Sequence, residues 1–145
     1  MNPGSKRLRI TLDTNVLFSA VAFGKDRPPL KVLELVRKGK IEAVISPFIL
    51  EELRRNLIGK AGWEESRFLA FEKELKRHIF LITPKSRLSV IQRVDADNRI
   101  LECALDAEAD VLVTGNMKDI RPIGSFQGIK ILTPKEFLDC YFPGE

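Results

Sequence analysis

Apolar and polar positions alternate over Leu8, Ile10 and Leu12 and stop at Asp13, which predicts a short strand ending in an acid. Asp13-Thr14-Asn15 reads as a turn, Val16 to Phe23 as a buried helix, and Leu30 to Lys38 as a helix closed by Gly39. A second strand is expected over Ala43 to Ile45. Ser46 then caps a helix that has Pro47 at its first position, a buried stripe at Ile49, Leu53 and Leu57, and its end near Gly59. Trp63 to His78 is amphipathic through Phe68, Phe71 and Leu75, and Ile79 to Ile82 forms a third strand. After a connector, Thr83 to Val94, the stretch Asp95 to Leu105 has helical spacing, with Asp97 leading Ile100, Leu101 and Ala104. Val111 to Val113 is a buried strand ending at Thr114-Gly115-Asn116. Gly124 and Gly128 bracket a loop before a fifth strand, Ile129 to Leu132, and Thr133-Pro134-Lys135-Glu136 is a capping box opening a last helix to about Tyr141.

Strands alternate with helices throughout, without repeats or heptads. That order implies an α/β fold: a parallel sheet with helices on both faces, right-handed crossovers and a ligand site at the strands' carboxyl ends. The 145 residues suit a single domain spanning 1–145, and 44% hydrophobic with 30% charged residues is a globular composition. Met1 to Lys6 is expected to be a frayed end. The apolar run at Val16–Phe23 follows Asp13 and Asn15 and lacks a cleavage site, and no run is long enough to span a bilayer, so no membrane role and a cytoplasmic location are expected. Two cysteines offer no metal spacing; Cys103 and Cys140 read as buried thiols without chemistry.

The net charge of +4 favours polyanionic partners only mildly, and its distribution says more. Lys25 and Arg27 sit in a loop, Arg54, Arg55 and Lys60 follow an acidic pair, and Lys118 and Arg121 follow Asn116, so cations recur near the acids. Asp13 follows a strand, Glu52 lies closer than Glu51 to the buried border of its helix, and Asp97 heads a helix. Each has a plain alternative: an N-cap for Asp13, an exposed acid for Glu52, and a first-turn acid behind an Asp95 cap for Asp97. Gathered at one sheet edge, the three would repel and stay partly protonated without a cation between them. All-oxygen ligands select a hard ion, Mg²⁺ or Mn²⁺, which activates water and stabilises the leaving oxygen of a phosphodiester. The only histidine, His78, sits at a helix end, which excludes histidine-pair nucleases and His-rich zinc hydrolases.

Leu12-Asp13-Thr14-Asn15-Val16, Glu52-Leu53, Asp97-Asn98 with Ala104, the Ala109-Asp110 to Val113-Thr114-Gly115-Asn116 segment, and Leu132-Thr133-Pro134-Lys135-Glu136-Phe137 occur in the order and spacing of a known family. The chain resembles PIN-domain proteins, and most closely the VapC-like toxin components of toxin/antitoxin systems. The resemblance implies a Rossmann-like sheet of five parallel strands in order 3-2-1-4-5, with Asp13 and Asn116 emerging at the switch point. It also implies a metal-dependent endoribonuclease acting on RNA with Mg²⁺ or Mn²⁺, a homodimer, and inhibition by an antitoxin protein. By position, Asp13, Glu52 and Asp97 match the metal-binding acids, and Asn15 and Thr114 the supporting polar residues. Many relatives have Asp where this chain has Asn116; the amide ligates through its carbonyl oxygen but carries no charge, and Asp119 is a possible replacement ligand.

Arg54, Arg55, Lys25 and Lys118 are the expected RNA-backbone contacts. The alternative is a weakly active or inactive module that binds nucleic acid or a partner, which the neutral Asn116 makes reasonable. A haloacid-dehalogenase-type phosphatase would need an Asp where Asn15 stands, and a receiver domain a paired acid and a well-placed lysine.

Overall fold

The computed structural model describes residues 7–144, so the expectation for Met1–Lys6 lies outside the described residues. Six strands form one sheet: β1 (Arg9–Leu12), β2 (Glu42–Ile45), β3 (Ile79–Leu81), β4 (Val111–Val113), β5 (Ser125–Phe126) and β6 (Ile129–Leu132), in the order β3-β2-β1-β4-β6-β5. The first five in that order run parallel, as expected. In register, Ile10 lies between Ala43 and Val111, and Leu12 lies beside Val113.

The correction is β5, which pairs antiparallel with β6 inside the region expected to be loop. Gln127 and Gly128 both have positive φ, 48° and 84°, the backbone of a two-residue turn whose twist matches a hairpin. Glutamine is an unusual choice there, and Ser-Phe is too short to show alternation.

Ile10, Thr11 and Leu12 are all buried although successive side chains point to opposite faces, so both faces of β1 are covered. The helices that cover the sheet are α1 (Thr14–Ala22), α2 (Pro28–Arg37), α3 (Pro47–Gly59), α4 (Glu65–Leu75), α5 (Ala96–Asp106) and α6 (Pro134–Tyr141). Helix α5 packs against β1, β2 and β4, while α1 packs on α2 and α3, and α2 on α6. Among the described residues no helix is long and apolar enough to cross a membrane.

Local chemistry explains the helix starts. The Ser46 hydroxyl accepts from the Ile49 N–H at 3.2 Å, with Pro47 next to it. Thr133 and Glu136 form the full capping box, and Arg121 grips Glu136 with two hydrogen bonds of 2.8 and 3.0 Å, which holds that carboxyl down to about 2. Three boundaries differ from expectation. Thr14 and Asn15 are the first residues of α1 rather than a turn, α2 starts at Pro28 because proline suits a first turn, and α4 starts only at Glu65. Trp63 instead packs beneath the Arg67 guanidinium, 3.8 Å from its ring centroid. Cys103 is buried, which pushes its thiol up to about 11, but Cys140 is exposed.

Residues 83–94 form no regular element, and an extended backbone there needs partners for its N–H and C=O groups. Helix α5 supplies them from one stripe at four-residue spacing. Asn98 accepts from the Ile91 N–H and donates to the Ile91 C=O, both at 2.8 Å; Glu102 accepts from the Leu88 N–H at 2.8 Å; Asp106 accepts from the Lys85 and Ser86 N–H groups. The segment is thereby strapped along α5. This is why Asn98 and Glu102 are buried polar residues, with Glu102 neutralised by Arg99 at 2.7 Å.

Candidate active site

Parallel strands β1 and β4 end side by side, and the Asp13 N–H extends their pairing by donating to the Val113 carbonyl at 3.0 Å. Asp13 occupies the N-cap position of α1, yet its side chain makes no capping hydrogen bond. Its Oδ2 instead accepts from the Thr114 hydroxyl at 2.6 Å, and that hydroxyl accepts from the Asn116 N–H at 2.9 Å. The tip of β4 thus orients the acid at the tip of β1. Asp13 is 6% exposed, and burial is the main reason its carboxyl is raised to about 6, with Asp97 and Glu52 adding to the rise.

Glu52 projects from α3 at half-buried depth, whereas Glu51 is exposed, as the helical wheel predicts. It is held by the Thr14 hydroxyl, which donates to its Oε1 at 2.7 Å. Asp97 lies in the first turn of α5 and is half-buried. Asp95 offers it no side-chain cap; the Asp95 carboxylate accepts from Asn98 instead. Burial and then the Asp119 charge raise the Asp97 carboxyl, offset in part by the Asn116 amide, which donates to it at 3.2 Å. Asn116 Oδ1 meanwhile accepts from the Lys118 and Asp119 N–H groups at 3.2 and 2.9 Å, so one side chain ties the loop after β4 to the helix bearing Asp97.

Asn15 also reaches this loop, accepting from the Gly115 N–H at 3.3 Å. A Cβ at Gly115 would stand 3.4 Å from that Asn15 oxygen, an ordinary contact distance. Beside the crossing lies a cleft of about 290 Å³ lined by Asn15, Ser19, Pro28, Gly115 and Pro134.

Asp119 is engaged by a residue that sequence reasoning missed. Arg93, at the end of the strap, donates to both Asp119 oxygens at 2.9 and 2.7 Å and holds that carboxyl below the ordinary range. No local pattern announces a pair 26 residues apart. Thr14 was missed as well, because its position in a supposed turn hid its contact with Glu52. Of the expected cations, Lys25, Arg55 and Lys118 are exposed, while Arg54 is turned toward Glu65 at 2.8 Å and Glu51 at 3.4 Å.

The donor set is all oxygen and its charges repel, which suits a hard divalent cation. Among the described residues, however, no three acidic, histidine or cysteine side chains form a ready-made cage. The fit is therefore to an ion that keeps several waters and takes one or two carboxylates directly, as Mg²⁺ does.

No curated protein matches the sequence at a significant level. Among solved structures, the chain is similar to one in the crystal structure of VapBC2 from Rickettsia felis bound to a DNA fragment from their promoter. Identity there is 17% and the TM-score 0.57, over 86% of this chain and 97% of the other. It is also similar to the PIN domain endonuclease Utp24, again at 17% identity, with a TM-score of 0.50 over 86% of this chain and 84% of that one. At such identities the likeness speaks for the fold. Residues 9–118 match the sequence profile of the PIN domain, a span that takes in Asp13, Glu52, Asp97 and Asn116, and the chain belongs to the PIN domain family.

Proposed function

We propose that this protein is a metal-dependent endoribonuclease and the toxin member of a toxin/antitoxin pair. PIN domains are typically nucleases, and the observation that carries the reading is the convergence of Asp13, Glu52 and Asp97 at the carboxyl ends of β1 and β4, through partners drawn from α1, α3, α5 and the loop after β4. Asp13, Glu52 and Asp97 would hold Mg²⁺ or Mn²⁺, directly or through water, with Asn116 as a neutral ligand once its Oδ1 leaves the Lys118 and Asp119 N–H groups, and Asp119 as a reserve once Arg93 releases it. Such an ion, when bound, polarises the scissile phosphate and lowers the pKa of an attacking water. Thr114 fixes the orientation of the Asp13 carboxylate, and Thr14 does the same for Glu52. Asn15 and Gly115 fix the loop that carries Asn116. Arg55, Lys25 and Lys118, with Arg54 if it leaves Glu65, would neutralise flanking phosphates.

The likeness to a VapBC2 chain supports an antitoxin protein as partner. A homodimer and a cytoplasmic location complete the proposal. A second reading, a binding module with weak catalysis, is favoured by two observations: Asn116 removes a charge, and Arg93 occupies Asp119. Cleavage of single-stranded RNA with Mn²⁺, Mg²⁺ or chelator decides between them. Metal-dependent cutting that Asp97→Asn abolishes supports the nuclease; RNA binding that Asp13→Asn leaves unaltered, with no cutting in either metal, refutes it and supports the module.

A further inference from the structure

Beyond the acids, the carboxyl edge of the sheet continues toward β2 and β3. There a second cleft, of about 280 Å³, opens between the start of α3 and the strap. Its lining joins Phe48 to Lys85, Arg87 and Arg99, with Glu102 as the single acid. Arg99 already neutralises Glu102, so the cleft keeps an excess of positive charge. The buried Arg99 Nε has no hydrogen-bond partner among the described residues.

Helix α3 joins this cleft to the acidic site. Phe48 and Glu52 are four residues apart on α3, which places their Cβ atoms about 5–6 Å from each other on one face. The strap also presents its cations in a fixed way: burial alternates over residues 83–88, with Thr83, Lys85 and Arg87 exposed and Pro84, Ser86 and Leu88 half-buried. Lys85 and Arg87 therefore share one outward face, and α5 pins the backbone beneath them through Asp106 and Glu102.

We propose that this cleft is a nucleotide subsite, seating the nucleotide next to the scissile phosphate with its base on Phe48 and its phosphate between Lys85 and Arg87. An aromatic face flanked by cations is how proteins hold single strands without reading sequence. The cleft has room for about one nucleotide. With the Asn15–Gly115 cleft on the opposite side of the acids, the RNA strand crosses the sheet edge from β6 toward β3, passing over Asp13, Glu52 and Asp97 midway. The inference rests on the ribonuclease reading but has its own test.

The test is fluorescence anisotropy of a labelled single-stranded RNA oligonucleotide in chelator, titrated with salt. Lys85→Gln/Arg87→Gln removes two phosphate contacts on an exposed face, so the slope of log K against log salt should flatten by about 1.4, at about 0.7 per contact, and low-salt affinity should fall at least tenfold. Phe48→Leu keeps an apolar side chain on the core but loses the stacking face; affinity should fall about tenfold with the slope retained. In cleavage assays, trimming the oligonucleotide by one nucleotide on the subsite side should raise KM about a hundredfold for the wild-type protein, which loses both the stacking and the phosphate contacts, and about tenfold for the double variant, which loses the stacking alone. An unchanged salt slope and affinity in the double variant, with RNA still cut by the wild type, would overturn the subsite alone. Failure of the wild type to bind RNA at all would overturn the subsite and the ribonuclease reading together.

Discussion

Asp13→Asn separates the electrostatic cost of the clustered acids from their use. The carboxyl is displaced from an ordinary 3.8 to about 6, mainly by burial and secondarily by Asp97 and Glu52. At about 1.4 kcal/mol per pH unit this corresponds to about 3 kcal/mol of destabilisation once the group is ionised. Because the folded value is raised, the folded state binds the proton more tightly than the unfolded one. The associated stability is complete below pH 3.8 and is lost as pH rises through about 6. The neutral variant escapes that loss. Its amide still accepts from Thr114, but its NH₂ is a buried donor, which costs about 1 kcal/mol. In chelator at pH 7.5 Asp13→Asn should therefore be more stable than wild type by about 2 kcal/mol, a rise in Tm of roughly 6–8 °C. At pH 4 the advantage should vanish and the donor cost remain. On the proposed metal site, saturating Mn²⁺ should reverse the order at pH 7.5: a wild-type protein at a hundred times Kd would gain about 2.7 kcal/mol by linkage, and the variant little. Scanning calorimetry at both pH values, with chelator and with Mn²⁺, checks all four corners. A variant less stable than wild type in chelator at pH 7.5 would refute the reasoning.

The other outcomes follow from neighbouring contacts. Asn116→Asp replaces the amide that donates to Asp97 with a second carboxylate, so Tm should fall in chelator while Mn²⁺ affinity rises in calorimetric titration; no change in either quantity would place Asn116 outside the site. Asn98→Ala leaves the buried Ile91 N–H and C=O without partners, and urea melts should show a loss of about 2–4 kcal/mol together with faster amide exchange over residues 85–93. Arg93→Gln removes the guanidinium that holds Asp119 down; the Asp119 carboxyl should titrate higher by NMR, and Asp97 with it, since Arg93 also favours the charged form of Asp97.

The strands that matter were legible because a parallel strand buried on both faces is an apolar run stopped by polar residues, as at Leu12-Asp13 and Val113-Thr114. The capping box at Thr133 and Glu136 and the preference for Glu52 over Glu51 were legible because helical periodicity encodes them locally. Sequence could not show how the acids are held. Thr114 reaches Asp13 across 101 residues and Thr14 reaches Glu52 across 38, and nothing in either neighbourhood marks the partner. The strap was opaque for another reason. Its backbone is satisfied by Asn98, Glu102 and Asp106, polar residues on a helix face that periodicity assigns to solvent. An Asn and two acids at four-residue spacing beside an unstructured connector were the one available signal.

That ladder bears on the order in which the acidic centre is assembled as the chain folds. Its contacts span 7, 14 and about 20 residues, so α5 and the strap can zip together early, bringing Asp97 and Arg93 with them. The Asp13–Thr114 bond closes a loop of 101 residues and belongs to the late docking of β1 beside β4. A chain with α5 and its strap formed but β1 undocked has Asp97 in place but neither the Thr114 partner of Asp13 nor the Thr14 partner of Glu52 set beside it. A partly unfolded copy thus lacks the assembled acidic centre until β1 is docked, and opening at the β1–β4 seam alone is enough to take Asp13 away from Thr114 and out of that centre.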